Sequence, residues 1–227
     1  MESQPKQCSY YDKAIDTLVL MQETPSKGLD PYDANFLLEE MNLMPQWYLK
    51  AHLSQNLECV EARVLLGQFT LIVKEVLAQP QELFVHRDYH SKNLMIDSED
   101  EIVVIDFQDA REGGLTYDLV SLLRDAYVAL DPRERKRLIQ RFKKGKGITV
   151  DDDTFMRWFD FTALQRHIKI LGIFARLSIR DGKERYLDHI PLILQYIVEV
   201  AVKYPELENL ARLLSPKDEG SQGMSLF

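Results

Sequence analysis

With 227 residues, 45% of them hydrophobic and 28% charged, the chain has the size and balance of one globular domain with its own core, which excludes a disordered or fibrous segment. A net charge of −8 argues against a nucleic-acid binder, whose phosphate contacts demand a basic surface. No apolar run approaches the roughly 20 residues that cross a bilayer, no signal-peptide core opens the chain, and Cys8 and Cys59 are too few for a disulfide framework; the expectation is a cytoplasmic protein without membrane contact.

In chain order, residues 1–9 are polar and read as a disordered terminus. Ala14, Leu18 and Met21 lie at helical spacing, so a helix is predicted from Tyr10 to Gln22, ended by Ser26-Lys27-Gly28. Asp30-Pro31 reads as a cap and first-turn proline, opening a helix through about Asn42. Pro45 begins a short helical piece holding Trp47, whose ring suits the apolar face of a pyranose, although such a residue is more often simply core. Leu57 to Gln79 carries one apolar face and stops at Pro80, a long amphipathic helix placed to pack beneath the next segment and support it.

Phe84 and Val85 form a short strand that leads into His86-Arg87-Asp88-Tyr89-His90-Ser91-Lys92-Asn93. This phrase has the H-x-D-x-x-x-x-N spacing of a phosphotransferase loop: an unpaired Asp88 can orient an acceptor hydroxyl or take its proton, and Asn93 can reach a metal ion. The runs Leu94–Asp97 and Ile102–Ile105 flank the turn Ser98-Glu99-Asp100-Glu101, a hairpin that returns Asp106 to the side of Asn93. Two oxygen donors on adjacent strand ends suit Mg²⁺, which keeps water and phosphate oxygens in its remaining positions. His86 reads as a structural anchor satisfied by a loop carbonyl, and His90 as a phosphate or acceptor contact. With no cysteine or third histidine nearby, the pair does not read as a metal site. Lys92, Gln108 and Asp109 are further candidate contacts for phosphate or acceptor.

Arg111 to Thr116 reads as a glycine-containing loop beside the acceptor, and Tyr117 to Leu130 as a helix. Asp131-Pro132 caps a basic helix, read as a solvated face, that ends at Gly145 and Gly147. Asp151-Asp152-Asp153-Thr154 starts a helix running to about Arg180. Arg166, Lys169, Ile173, Arg176 and Arg180 share one face of it, a cationic stripe for an acidic acceptor or for salt bridges to solvent-facing acids. Ile168, Leu171 and Ala175 face the opposite way, toward the core. Helices Tyr186–Val202 and Pro205–Leu214 close residues 10–214 as one unit, followed by a disordered tail over 215–227. The fold class is mainly α (α+β), helical with a small β-hairpin carrying the site loops.

The phrases His86 to Met95, Asp106-Phe107-Gln108-Asp109-Ala110, Tyr117 to Asp125 and Gln165-Arg166-His167-Ile168-Lys169 resemble the aminoglycoside phosphotransferase and choline kinase superfamily. Within it, they are most similar to the bacterial N-acetylmuramate/N-acetylglucosamine anomeric kinases of cell-wall recycling. The resemblance runs from about Tyr10 to Leu214. It implies a protein-kinase-like C-terminal lobe, ATP with Mg²⁺ as cofactors, and a small-molecule sugar as the phosphate acceptor. It also implies Asp88 as catalytic base, Asn93 and Asp106 as metal ligands, and Asp118 bracing the loop from below.

A kinase of this kind also needs a glycine-rich strand–turn–strand and a strand lysine over the phosphates, and neither is legible before Phe84. The ten glycines never fall as G-x-G-x-x-G. The expectation is therefore an acceptor-binding lobe whose nucleotide lobe is missing or supplied in cis or in trans. Two alternatives stay open: an aminoglycoside or amino-alcohol (choline-type) kinase, and a non-catalytic remnant that binds a sugar or a partner.

Overall fold

The computed structural model describes residues 4–215, with side chains from Ser9 onward; the expected tail beyond Ser215 and residues 1–3 lie outside the described residues. Helix α1 (Gln4–Met21) begins six residues before the expected Tyr10, because Pro5 sits in the first turn, where a missing N–H breaks no bond. Helix α2 (Ala34–Met41) is capped by Asp33, whose Oδ1 accepts the Phe36 N–H at 2.9 Å. The cap predicted at Asp30 is thus displaced by three residues. Residues 30–32 are instead held in an extended bridge to Glu112, with Glu112 N donating to Asp30 O and Tyr32 N to Glu112 O.

A π-helix follows at Met44–His52, then α3 (Cys59–Val76), whose Glu58 and Glu61 form a reciprocal capping box. Strand β1 (Leu83–Val85) pairs antiparallel with β4 (Arg111–Gly113), register Leu83↔Gly113. The stretch read as a flanking loop is therefore partly strand: the short Phe84-Val85 run needs a partner for its backbone groups, and residues 111–113 supply it. The predicted hairpin is β2 (Leu94–Ile96) with β3 (Ile102–Val104), register Leu94↔Val104.

Helix α4 (Tyr117–Leu123) stops well short of Leu130, because Asp125 turns its carboxylate onto Tyr127 N at 2.9 Å and Ser91 N at 2.9 Å. These bonds compete with helical ones. Helices α5 (Pro132–Gly145) and α6 (Asp152–Asp181) carry the expected aspartate caps, Asp131 and Asp151, and α6 ends on Gly182 at φ 64°. Helices α7 (Ile190–Ala201) and α8 (Glu208–Leu214) complete the element order. The basic face of α5 is not simply solvated: Arg137 pairs with Asp12 at 2.7 Å and Arg141 with Asp16 at 2.5 Å, which docks α5 on α1.

The apolar interior forms two clusters. One gathers α2, the π-helix, α3, α7, α8 and one side of α6. The other gathers α1, α4, α5 and the start of α6. Val85 belongs to the first cluster and Tyr89 to the second, so the intervening His86–Asp88 segment crosses the seam between them. Ile168, Leu171 and Ala175 are fully buried, as their spacing predicts. Gly172 is where the π-helix entrance touches α6: a Cβ there would stand 2.4 Å from the Leu43 carbonyl carbon and 2.5 Å from Met44 N.

His167 is fully buried on α6, with Nε2 2.9 Å from the carbonyl oxygen of Arg124. Burial pushes its pKa down to about 3, helped by the neighbouring Arg124 and Arg166. A depressed base contributes stability above its unfolded pKa that is lost as pH falls toward the folded value. Relative to His167→Gln, which keeps a side-chain N–H for Arg124, the wild type should lose about 1.4 kcal/mol per pH unit between roughly pH 6 and 4. Urea denaturation of both proteins across that range measures it, and parallel stability curves would contradict it.

Candidate active site

Strand β1 delivers the chain into a left-handed residue: Arg87 has φ 76°, a conformation costing a non-glycine residue on the order of 1–3 kcal/mol. The surroundings over-determine it. Asp118, fully buried at the start of α4, accepts His86 N at 2.7 Å on Oδ2 and Arg87 N at 3.0 Å on Oδ1. Burial lifts the Asp118 pKa to about 7, opposed by those two N–H groups and by Arg166. From α6, Arg166 donates to the Arg87 carbonyl at 2.5 Å.

His86 is buried, and burial lowers its pKa, so the ring is neutral near pH 7. Its Nε2 lies 3.0 Å from Ile105 O; since a carbonyl only accepts, the proton is on Nε2, and Nδ1 is left to accept Asp88 N at 3.3 Å. One imidazole thereby ties the end of β3 to the residue after the kink.

The Asp88 side chain keeps 44% of its surface exposed, in contrast to the 3% of Arg166 behind it. Arg166 Nη2 stands 3.6 Å from Asp88 Oδ1. Burial alone would raise the Asp88 pKa, but Arg166, Lys169 and His90 hold it below the usual range, so the carboxylate is ionised and open to a partner. Asn93, on the 3₁₀ turn Ser91–Asn93, donates its amide N–H to Asp88 O at 3.0 Å and faces Asp106 Oδ2 at 3.5 Å. That orientation leaves Asn93 Oδ1 as a free acceptor. Asp106, exposed and left-handed at φ 69°, takes the Gln108 amide on its other oxygen at 2.8 Å. The Asn93 amide thus links the Asp88 carbonyl to the Asp106 carboxylate at one corner. Among the described residues no group of three or more His, Cys, Asp or Glu could enclose a metal ion. The two oxygen donors fit a Mg²⁺ ion that takes its remaining ligands from phosphate and water.

The expected cationic stripe of α6 does not survive as one surface. Lys169 is buried in an ion pair with Glu40 at 2.8 Å, and Arg180 is exposed and bound to Asp181. Arg176 is half-buried with its Nε unpartnered, and ten residues of helix, about 15 Å, separate it from Arg166. Helical spacing put these residues on one face, but only the packed structure shows which positions meet a counter-ion. Trp47 packs against the main core. The aromatic surface beside the loop is Tyr127, whose ring lies 5.4 Å from His90 and 5.0 Å from His189, with Lys92 Nζ 3.4 Å above it. His90 Nδ1 is buried without a partner, and Asp109 contributes its carbonyl to Arg87 at 3.3 Å rather than its carboxylate.

No motif points to Glu40. It is buried at the end of α2, where Oε1 meets Arg87 Nη2 at 2.8 Å and Lys169 Nζ at 2.8 Å. Oε2 meets the Tyr32 hydroxyl and Gln165 Nε2. The only signal for it in the sequence is an acid on the apolar side of a short helix.

The chain is similar to several known proteins. Residues 1–159 match the family model described as the phosphotransferase enzyme family. A protein of Pseudomonas aeruginosa named N-acetylmuramate/N-acetylglucosamine kinase is 38% identical over 218 residues, 93% of this chain and 64% of that protein. A protein of the same name from Neisseria meningitidis is 38% identical over 208 residues, 89% of this chain and 62% of its own length. The crystal structure of the AMP-bound spectinomycin phosphotransferase APH(9)-Ia superposes with a TM-score of 0.54 at 14% identity, covering 86% of this chain and 67% of that one. At that identity the likeness is one of fold. The chain belongs to the phosphotransferase enzyme family. It spans less than two thirds of the length of these curated relatives.

Asp118→Asn keeps one acceptor for the two N–H groups and turns an amide N–H toward the other. It should lower stability by about 1–3 kcal/mol in urea denaturation. An unchanged midpoint would mean that Asp118 does not hold the loop.

Proposed function

We propose that the chain is the acceptor-binding and catalytic part of a cytoplasmic ATP-dependent kinase for an amino sugar, N-acetylmuramate or N-acetylglucosamine, acting at the anomeric hydroxyl. The observation that carries this reading is the Asp88 carboxylate, ionised and accessible, on the residue whose carbonyl accepts the Asn93 amide, which in turn lies 3.5 Å from Asp106 Oδ2. The substrate class is supported by the names of the relatives at 38% identity.

In this reading Asp88 accepts the hydrogen bond of the sugar hydroxyl, aligning its oxygen for in-line attack on the γ-phosphate; it receives the proton as the new P–O bond forms and the bond from the γ-phosphorus to the departing ADP oxygen breaks. Arg166, holding the Arg87 carbonyl and facing Asp88, keeps that carboxylate charged between turnovers. Asn93 Oδ1 and Asp106 would hold Mg²⁺, which when bound neutralises charge on the phosphate oxygens. Lys92, with no carboxylate partner among the described residues, and Tyr127 offer a cation and an aromatic edge for a sugar bearing an acidic substituent. A cationic acceptor such as an aminoglycoside or choline finds Arg166 and Lys92 there, which disfavours it. A glycine-rich phosphate loop with its lysine is not among the described residues, and the reading requires that clamp from elsewhere, in cis or in trans. The exposed side chains of Met95, Ile96, Val103, Ile105 and Phe107 on and after the hairpin leave an apolar surface on that side.

Phosphate transfer from ATP, followed with the nucleotide lobe present across a panel of amino sugars, choline and kanamycin, tests the acceptor. Stimulation by N-acetylmuramate or N-acetylglucosamine is expected; stimulation by choline or kanamycin alone would refute the sugar assignment. Asp88→Asn should cut transfer about a thousand-fold with an unchanged circular dichroism spectrum. Retention of most activity would show that the base lies elsewhere.

A further inference from the structure

The least comfortable backbone in the loop is Arg87, the left-handed residue immediately before Asp88, and its side chain turns away from Asp88, Nη1 donating to Asp109 O at 3.3 Å on the way. The guanidinium lies 5.6 Å from the Tyr32 ring and 5.3 Å from the Phe36 ring, ending on Glu40 Oε1. The same oxygen holds Lys169, while the other carboxylate oxygen holds Tyr32 and Gln165. Tyr32 in turn meets the Tyr117 hydroxyl at 2.7 Å, next to Asp118. Glu40 is therefore fixed from α6 and from the segment before α2 independently of Arg87, and it offers Arg87 an anchor that cannot move away. Main-chain bonds to Asp118 and Arg166 hold the peptide units on either side of Arg87; the Glu40 pair holds the residue itself.

We propose that Glu40 is a positioning residue: by gripping the Arg87 side chain it keeps the left-handed turn that aims the Asp88 carboxylate at the open corner of the site. Only the kinetic arm of its test rests on the phosphotransferase reading above.

Three variants separate positioning from mere stabilisation. In Arg87→Met, Glu40 keeps Lys169, Tyr32 and Gln165, so the fold is retained while the grip is lost. In Arg87→Gly the grip is lost as well, but glycine adopts φ 76° without strain. Val200→Ala, a core truncation on α7, controls for stability alone. The expected result for Arg87→Met in the full ¹⁵N-labelled chain is at least tenfold faster amide exchange at residues 87 and 88. Its kcat should fall about tenfold, with the sugar KM within twofold. Arg87→Gly should stay within threefold of wild type in both measurements, and Val200→Ala should leave both unchanged while lowering the melting temperature. Glu40→Gln should follow Arg87→Met, and adding Arg87→Gly to it should restore the wild-type values.

Equal behaviour of the Met and Gly variants, whether both intact or both impaired, would overturn the proposal, as would a Glu40→Gln loss that glycine at 87 does not repair. If the wild type phosphorylates no amino sugar, the acceptor assignment fails, and exchange at residues 87 and 88 still decides the role of Glu40.

Discussion

Asp118 lies without solvent contact at the first turn of α4 and commits its two oxygens to consecutive main-chain N–H groups, those of His86 and Arg87. The two bonds fix the peptide units on either side of His86, and the chain kinks at the next residue, the positive φ of Arg87. The arrangement costs desolvation of a carboxylate and backbone strain together, and it persists because neither partner can be satisfied elsewhere once α4 is packed. Everything that the 86–93 loop does chemically depends on this contact, because the residue after the kink is Asp88.

The loop also occupies a mechanically defined place. Val85 is anchored in one apolar cluster and Tyr89 in the other, the latter with its hydroxyl on Ala14 O at 2.7 Å. The stretch between them cannot drift without opening one of the two cores. Helix α6 passes beneath this seam and contributes Arg166 to the loop, Lys169 and Gln165 to Glu40, and Thr162 to the buried Gln79. Gln79 itself accepts from both Thr116 N and Thr116 Oγ1, and Gly114 is the residue that lets it approach, since a Cβ there would lie 2.9 Å from Gln79 Cδ. A polar layer thus runs through the middle of an otherwise apolar interior, and most of its members have found partners.

The electrostatic consequence is a division of labour among cations that look alike in sequence. Lys169 neutralises Glu40 and is unavailable to a ligand; Arg166 serves the loop carbonyl and the Asp88 carboxylate; Lys92 rests on the Tyr127 ring. Chemical type does not distinguish these roles. Burial and the position of the nearest acid do.

Short-range chemistry made much of the molecule readable in advance. The H-x-D-x-x-x-x-N phrase, the hairpin after it and the aspartate caps at 131 and 151 all depend on neighbours within a few residues, so the sequence alone determined the hairpin, the long α6 helix and the meeting of Asn93 with Asp106. Where long-range contacts competed with local signals, the local reading erred: Asp30 lost its capping role to a bridge with Glu112, Arg111–Gly113 became the partner of β1, and Asp125 ended α4 early. The grip of Glu40 on Arg87 joins residues 47 apart, and the α6 stripe was divided by acids lying far from it in the chain. Tertiary structure alone decided those matters, because an ion pair is made by whatever charge folding brings within about 4 Å, and no local periodicity records which one that will be.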